Sequence, residues 1–258
     1  MTFSPGFDIQ PTADLGFRYG LNVFGPEPEF RTLDAIRASL RDPAAAGPPV
    51  VYGIAMDVGC QEHRPELQTR MLLFGAVTYA AGRLGQEPVR SQGHVHKVSQ
   101  HSGWSPPEVY EIWTGRAVVY MQEYAADEPG RCFAVTAGPG QVIVVPPGWA
   151  HATISADPTQ PLTFGAWCDR EYGFAYDAVR ARHGLAWYPL LDENDQLHWQ
   201  ANPHYQPSEL IQKAPRLYPD LHMLPDVPIY TQFAHDPARV QWVSQPELVA
   251  NIWRDFEP

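Results

Sequence analysis

Between Gly93 and Ser155 the chain carries two histidine-bearing segments set apart by a strand-rich spacer, and these restrict the fold more than any bulk property. The first is Gly93-His94-Val95-His96, followed after 11 residues by Glu108 and after six more by Gly115. The second is Gly140, then five residues, then Pro146-Pro147-Gly148-Trp149-Ala150-His151. Alternate side chains of a strand share a face, so His94 and His96 point the same way. A carboxylate from the next strand and a third imidazole from a later one would complete a site of three nitrogens and one oxygen, suited to a divalent metal. Tyr110 shares the face of Glu108, whereas Glu111 points to the opposite side, so Glu108 is the expected ligand. Gly115 permits a turn conformation that side-chain-bearing residues resist, and Pro146 with Gly148 sets the hairpin that aims His151 inward.

The spacer and its flanks read as short strands. Val50–Val58, Met71–Ala81, Glu108–Trp113, Ala117–Tyr124, Cys132–Thr136, Gln141–Val145 and Leu162–Trp167 are apolar or alternating runs bounded by Gly, Pro or charged turns. Seven such runs predict a closed or sandwiched antiparallel barrel. Its supply of turns is ample, with 27 Pro and 20 Gly in 258 residues. Three divisions follow: an N-terminal extension over 1–49 with a helix across roughly 32–41, a barrel over 50–202, and a C-terminal extension over 203–258. The barrel includes a late hairpin, Leu185–Leu191 with Leu197–Gln200; the extension after it holds helical candidates near Ser208–Lys213 and Gln245–Phe256. The extension is expected to pack on the barrel or on a second subunit.

A net charge of −11 argues against nucleic acid as a partner, because phosphate backbones are bound by an excess of Lys and Arg. An anionic substrate would instead need a local positive field. Cys60, Cys132 and Cys168 form no C-x-x-C pair, which speaks against a disulfide framework or a zinc ribbon. No apolar run reaches membrane-spanning length, and the first residues lack the pattern of a leader. The expectation is a cytoplasmic protein with no membrane partner.

The two-segment pattern is identified as the double motif of the cupins. That resemblance implies an all-β fold, a double-stranded β-helix or jelly-roll barrel, here with an N-terminal helix and a C-terminal extension. More specific stretches narrow the likeness. Val50-Val51-Tyr52, Gly93-His94-Val95-His96-Lys97, Pro107-Glu108-Val109-Tyr110, Val144-Val145-Pro146-Pro147-Gly148-Trp149-Ala150-His151 and Glu171-Tyr172-Gly173 together resemble the cupin-type phosphoglucose isomerases, over about residues 30–202. The resemblance implies interconversion of glucose 6-phosphate and fructose 6-phosphate, as in glycolysis and gluconeogenesis, by a homodimer acting on a sugar phosphate. It implies one divalent metal ion per chain (Fe, Mn, Zn or Ni), with His94, His96, Glu108 and His151 as ligands. Isomerisation needs a base to move a proton between C1 and C2, for which Glu108 is the candidate, with Tyr110 on the same face relaying protons. Tyr52, Thr78, Ser91, Gly93 and Tyr172 are the implied substrate contacts, the phosphate being held by hydroxyls and the Gly93 amide. Departures lie on the sugar side: an inserted loop over Ser99–Ser105, and Val77 standing where the family has a phosphate-binding threonine, with Thr78 beside it. Trp104 in that loop is a candidate lid, and Arg83 and Arg90 are weighed as phosphate partners. A different aldose, or Fe(II)/Mn dioxygenase or decarboxylase chemistry on the same ligands, is the alternative.

Overall fold

A computed structural model describes residues 3–258 of the chain; the first two residues of the N-terminal extension lie outside the described residues. Two sheets face each other. The larger has six antiparallel strands in the order Val142–Val145, Glu108–Thr114, Leu162–Asp169, Leu72–Tyr79, Val50–Met56 and Glu29–Thr32. The smaller runs Ala150–Ser155, Ala117–Gln122, Cys132–Ala137 and Leu210–Lys213. Backbone bridges from Arg90 to Ile154 and from His94 to His151 lay residues 90–94 along its free side. The expected all-β cupin barrel is present.

The central strands of the larger sheet are buried on both faces, which explains the near-continuous apolar runs such as Leu72–Tyr79. Alternation assigns the faces. Tyr52, Val77, Tyr79, Tyr110, Ile112, Phe164, Ala166 and Cys168 point between the sheets, meeting Val119, Met121 and Phe133 of the smaller one. Phe74, Val109, Trp113, Val144 and Trp167 point outward, under Tyr230, Phe233, Trp242 and Trp253 of the C-terminal extension. That extension therefore packs on the barrel itself. The late hairpin, Trp187–Leu191 with Leu197–Ala201, lies over the outside of the smaller sheet, where Leu185, Ala186 and Tyr205 meet Val118 and Tyr120.

Two local expectations are corrected. The helix expected over 32–41 is a single α-turn, Leu33–Ile36, continued as a 3₁₀ turn over Arg37–Ser39. Thr32 caps its start, and the Ser39 hydroxyl donates to the Ile36 carbonyl at 2.8 Å, drawing the backbone out of α-helical pairing. Ser208–Lys213, expected to be helical, contains a strand, Leu210–Lys213, running parallel to Cys132–Ala137. The open edge of the smaller sheet supplies hydrogen-bonding partners that outweigh the helical spacing. The outer edge of the larger sheet is likewise closed from within, by Glu29–Thr32 of the N-terminal extension.

Gly115 has φ +79°, and a Cβ there would come within 2.8 Å of the Pro161 carbonyl oxygen, so both conformation and space require glycine. Glu111 does face outward, as its strand position requires. It is buried beneath the C-terminal extension, with Oε1 accepting from the Ile229 amide at 2.8 Å and Oε2 from the Trp113 indole at 3.2 Å. Burial pushes its carboxyl up from 4.5 to about 8. The folded state thus holds this proton more tightly than the unfolded chain does, so the contribution is complete below about 4.5 and is lost as pH rises through about 8. Thermal unfolding should show wild-type stability declining from pH 6 to 9. Glu111→Gln should be weaker at pH 6, by about 1–3 kcal/mol for one donor left without an acceptor, but its decline over that range should be shallower. Parallel pH curves for the two proteins would refute the assignment.

Candidate metal centre

Three segments bring four side chains together. His94 and His96 come from the segment that enters the short Val95–His96 strand, Glu108 opens the Glu108–Thr114 strand, and His151 follows Ala150 at the start of Ala150–Ser155. The ligand atoms of all four lie within 4.8 Å of one another. His94 and His151 face each other as a hydrogen-bonded antiparallel pair, amide to carbonyl at 3.1 and 3.0 Å, and their rings meet edge to face at 4.4 Å. The turn that delivers His151 contains Gly148 at φ +79°.

The imidazoles are prepared as nitrogen ligands. His96 Nδ1 lies 2.8 Å from the Pro106 carbonyl, and His151 Nδ1 lies 3.0 Å from the Trp149 carbonyl. A carbonyl oxygen only accepts, so the ring proton sits on Nδ1 and the Nε2 lone pair faces the centre. Glu108 Oε2 lies 3.1 Å from His151 Nε2 and 3.2 Å from His96 Nε2, and it accepts from the Tyr110 hydroxyl at 2.6 Å. The Cys168 thiol is 3.3 Å from Oε1. Nε2 of His94 and of His96 are buried with no hydrogen-bond partner. Two orphaned nitrogens aimed at a carboxylate fit a cation between them.

Burial, then the neighbouring His151 and His96 rings, push His94 well below the usual imidazole range, so it is neutral. Burial would raise Glu108, but the adjoining His151 and His96 rings outweigh it and hold the carboxyl well below its ordinary value. For His96, burial is outweighed by Glu108 and the Pro106 carbonyl, and the ring is raised. Burial, reinforced by the Glu108 carboxylate, drives the Tyr110 phenol well up, so it remains a donor.

The centre opens on a partly enclosed cavity between the two sheets. Tyr52, Ser91, His94, Glu108 and Tyr110 line it, together with Val77, Ile54 and Phe164. Three implied substrate contacts do not. Thr78 points to the other face of its strand, its hydroxyl 3.2 Å from that of Thr163. Gly93, at φ +85°, backs onto Leu185 and Val179. Tyr172 is 36% exposed and outside the lining, its ring 5.7 Å from Phe174. Trp104 packs with the aromatic cluster outside the larger sheet, so it is no lid. The inserted loop is tied down by Glu171, whose Oε2 accepts from the His101 amide at 2.9 Å. Arg83 pairs with Asp195 and Arg90 with buried Glu87, so neither faces the cavity. Arg31, Gln92, Phe174 and Tyr176 do line it and are absent from the sequence-derived candidates. Phe174 is placed there by pairing opposite His96, which no pattern within its own segment records, and the isolated Arg31 carries no signal either.

Residues 32–208 match the family described as Glucose-6-phosphate isomerase (GPI). A Thermococcus litoralis glucose-6-phosphate isomerase is 26% identical over 160 residues, 62% of this chain and 75% of its own. A Rhizobium meliloti (strain 1021) protein, provisionally named glucose-6-phosphate isomerase 1, is 30% identical over 106 residues, 41% of this chain. The match spans 42% of that relative's length. Among solved structures, the DEL162-163 mutant of Bacillus subtilis oxalate decarboxylase superposes with a TM-score of 0.37 at 14% identity, covering 59% of this chain and 30% of its own, and nothing further rests on it. Elemental analysis of purified protein should find about one divalent metal per chain, and His151→Ala should lower metal affinity by more than about tenfold. His101→Ala, on the exposed loop, should leave it unchanged. Equal metal content in all three proteins would remove the site.

Proposed function

Because the chain belongs to the glucose-6-phosphate isomerase family, we propose that it is a metal-dependent aldose–ketose isomerase interconverting glucose 6-phosphate and fructose 6-phosphate through a cis-enediol(ate). What carries the proposal is the convergence of His94, His96, Glu108 and His151 inside a matched segment, with His94 and Glu108 on the wall of a cavity.

Isomerisation moves a proton between C1 and C2 and needs negative charge stabilised on the two adjacent oxygens. A divalent metal held by these four residues would supply Lewis acidity for those oxygens. Glu108 is the base. Its Oε2 is engaged by Tyr110, His151 and His96, which leaves Oε1, facing the Cys168 thiol, as the atom that takes and returns the proton. Tyr110 keeps its own proton and holds the carboxylate rotamer by donating it to Oε2 at 2.6 Å. Ile54, Val77, Phe164 and Phe174 form an apolar wall that excludes water from the enediol and limits loss of its proton to solvent.

In a coupled assay, purified protein should convert fructose 6-phosphate to glucose 6-phosphate, lose this with a chelator and regain it with added divalent metal. Glu108→Gln should reduce turnover by about 100-fold or more, from loss of base and ligand charge together. Metal-loaded protein that leaves a panel of aldoses and aldose phosphates unchanged would end the proposal.

A further inference from the structure

Arg31 is the one side chain bearing a permanent positive charge among those lining the cavity. It comes from the Glu29–Thr32 strand of the N-terminal extension and stands opposite Tyr52 in the pairing with Val50–Met56. Its Nε is buried with no hydrogen-bond partner. The Tyr52 and Tyr176 phenols lie beside the guanidinium and favour its charged form against the effect of burial. No salt bridge engages it among the described residues, in contrast to Arg83, Arg90 and Arg170, which hold Asp195, Glu87 and Asp57.

A second donor on the cavity wall is in the same condition. The Gln92 Oε1 accepts from Arg180 Nε at 2.9 Å, which fixes the amide orientation, and Nε2 is left buried and unpartnered. Two buried donors without acceptors on one cavity wall indicate a ligand that brings acceptors with it. The Tyr176 ring links them to the metal centre, 6.0 Å from that of His94. In a chain of net charge −11, this is where a local positive field for an anion is built. A guanidinium presents two parallel donors that match phosphate oxygens.

We infer that Arg31, with Gln92 and Tyr176, holds the terminal phosphate of an open-chain sugar whose C1–C2 end lies at Glu108. This rests on the isomerase proposal above and moves phosphate recognition from the Gly93 amide and Thr78 to the N-terminal extension. Arg31 is thereby a specificity-determining residue, selecting phosphorylated over neutral aldoses.

The test is calorimetric binding of glucose 6-phosphate and of glucose to metal-loaded wild type, Arg31→Gln and Arg31→Lys, with metal content and KM and kcat measured alongside. Arg31→Gln should weaken glucose 6-phosphate binding and raise KM by about tenfold or more, with kcat, glucose binding and metal content near wild type. Arg31→Lys, which retains charge without the planar fork, should recover part of the loss. Glucose 6-phosphate binding unchanged in Arg31→Gln, or wild type binding glucose as tightly as glucose 6-phosphate, overturns the assignment. Turnover with unchanged KM in Arg31→Gln overturns it while leaving the isomerase proposal intact. Arg31-dependent binding of glucose 6-phosphate without turnover does the reverse.

Discussion

Two backbone hydrogen bonds between His94 and His151, at 3.1 and 3.0 Å, hold the site together. In an antiparallel hydrogen-bonded pair both side chains stand on the same face, so this exchange sets two imidazoles side by side, and the period of two adds His96. The fourth member belongs to the other sheet. Glu108 enters from the Glu108–Thr114 strand, whose pairing with Leu162–Asp169 and Val142–Val145 fixes which residues face inward. A one-residue slip there would exchange Glu108 and Tyr110 for their outward neighbours and dismantle the centre. Correct register in two separate sheets is therefore a precondition for the chemistry.

The price of such convergence is electrostatic. Glu108 is buried, and removing a carboxylate from water is tolerated only with good partners. Tyr110 donates to it and the His151 and His96 rings lie beside it, yet Nε2 of His94 and of His96 has no hydrogen-bond partner among the described residues. A cation would relieve both deficits at once, and its binding free energy would then add to the stability of the folded state. Function and folding are coupled at this point.

Much of this was legible in the sequence because the relevant signals are local. His94-Val95-His96, the Pro-Pro-Gly-Trp-Ala-His turn and the alternation from Glu108 to Tyr110 each declare a face or a bend within a few residues. What sequence did not disclose depends on partners far along the chain. Leu210–Lys213 becomes a strand because Cys132–Ala137 offers an edge, and nothing within that short segment records this. Thr78 and Val77 differ only in which side of one strand they take, and it is Val77 that faces the cavity. Arg31 is the extreme case, an isolated arginine in a stretch without apolar periodicity, given meaning only by its pairing with Tyr52.

The aromatic cover over the larger sheet comes from both ends of the chain, with Phe7 against Phe74 and Trp113, and with Tyr230, Phe233, Trp242 and Trp253 of the last forty or so residues closing over the same face. During synthesis the ribosome delivers every strand of that sheet before it delivers the C-terminal part of this cover. A nascent chain thus presents an aromatic face covered only by its N-terminal segment, and the larger part of the cover is added when the tail has emerged and wrapped back. Apolar surface left open in that interval is prone to aggregate, and the closing segment removes the hazard once translation has passed it.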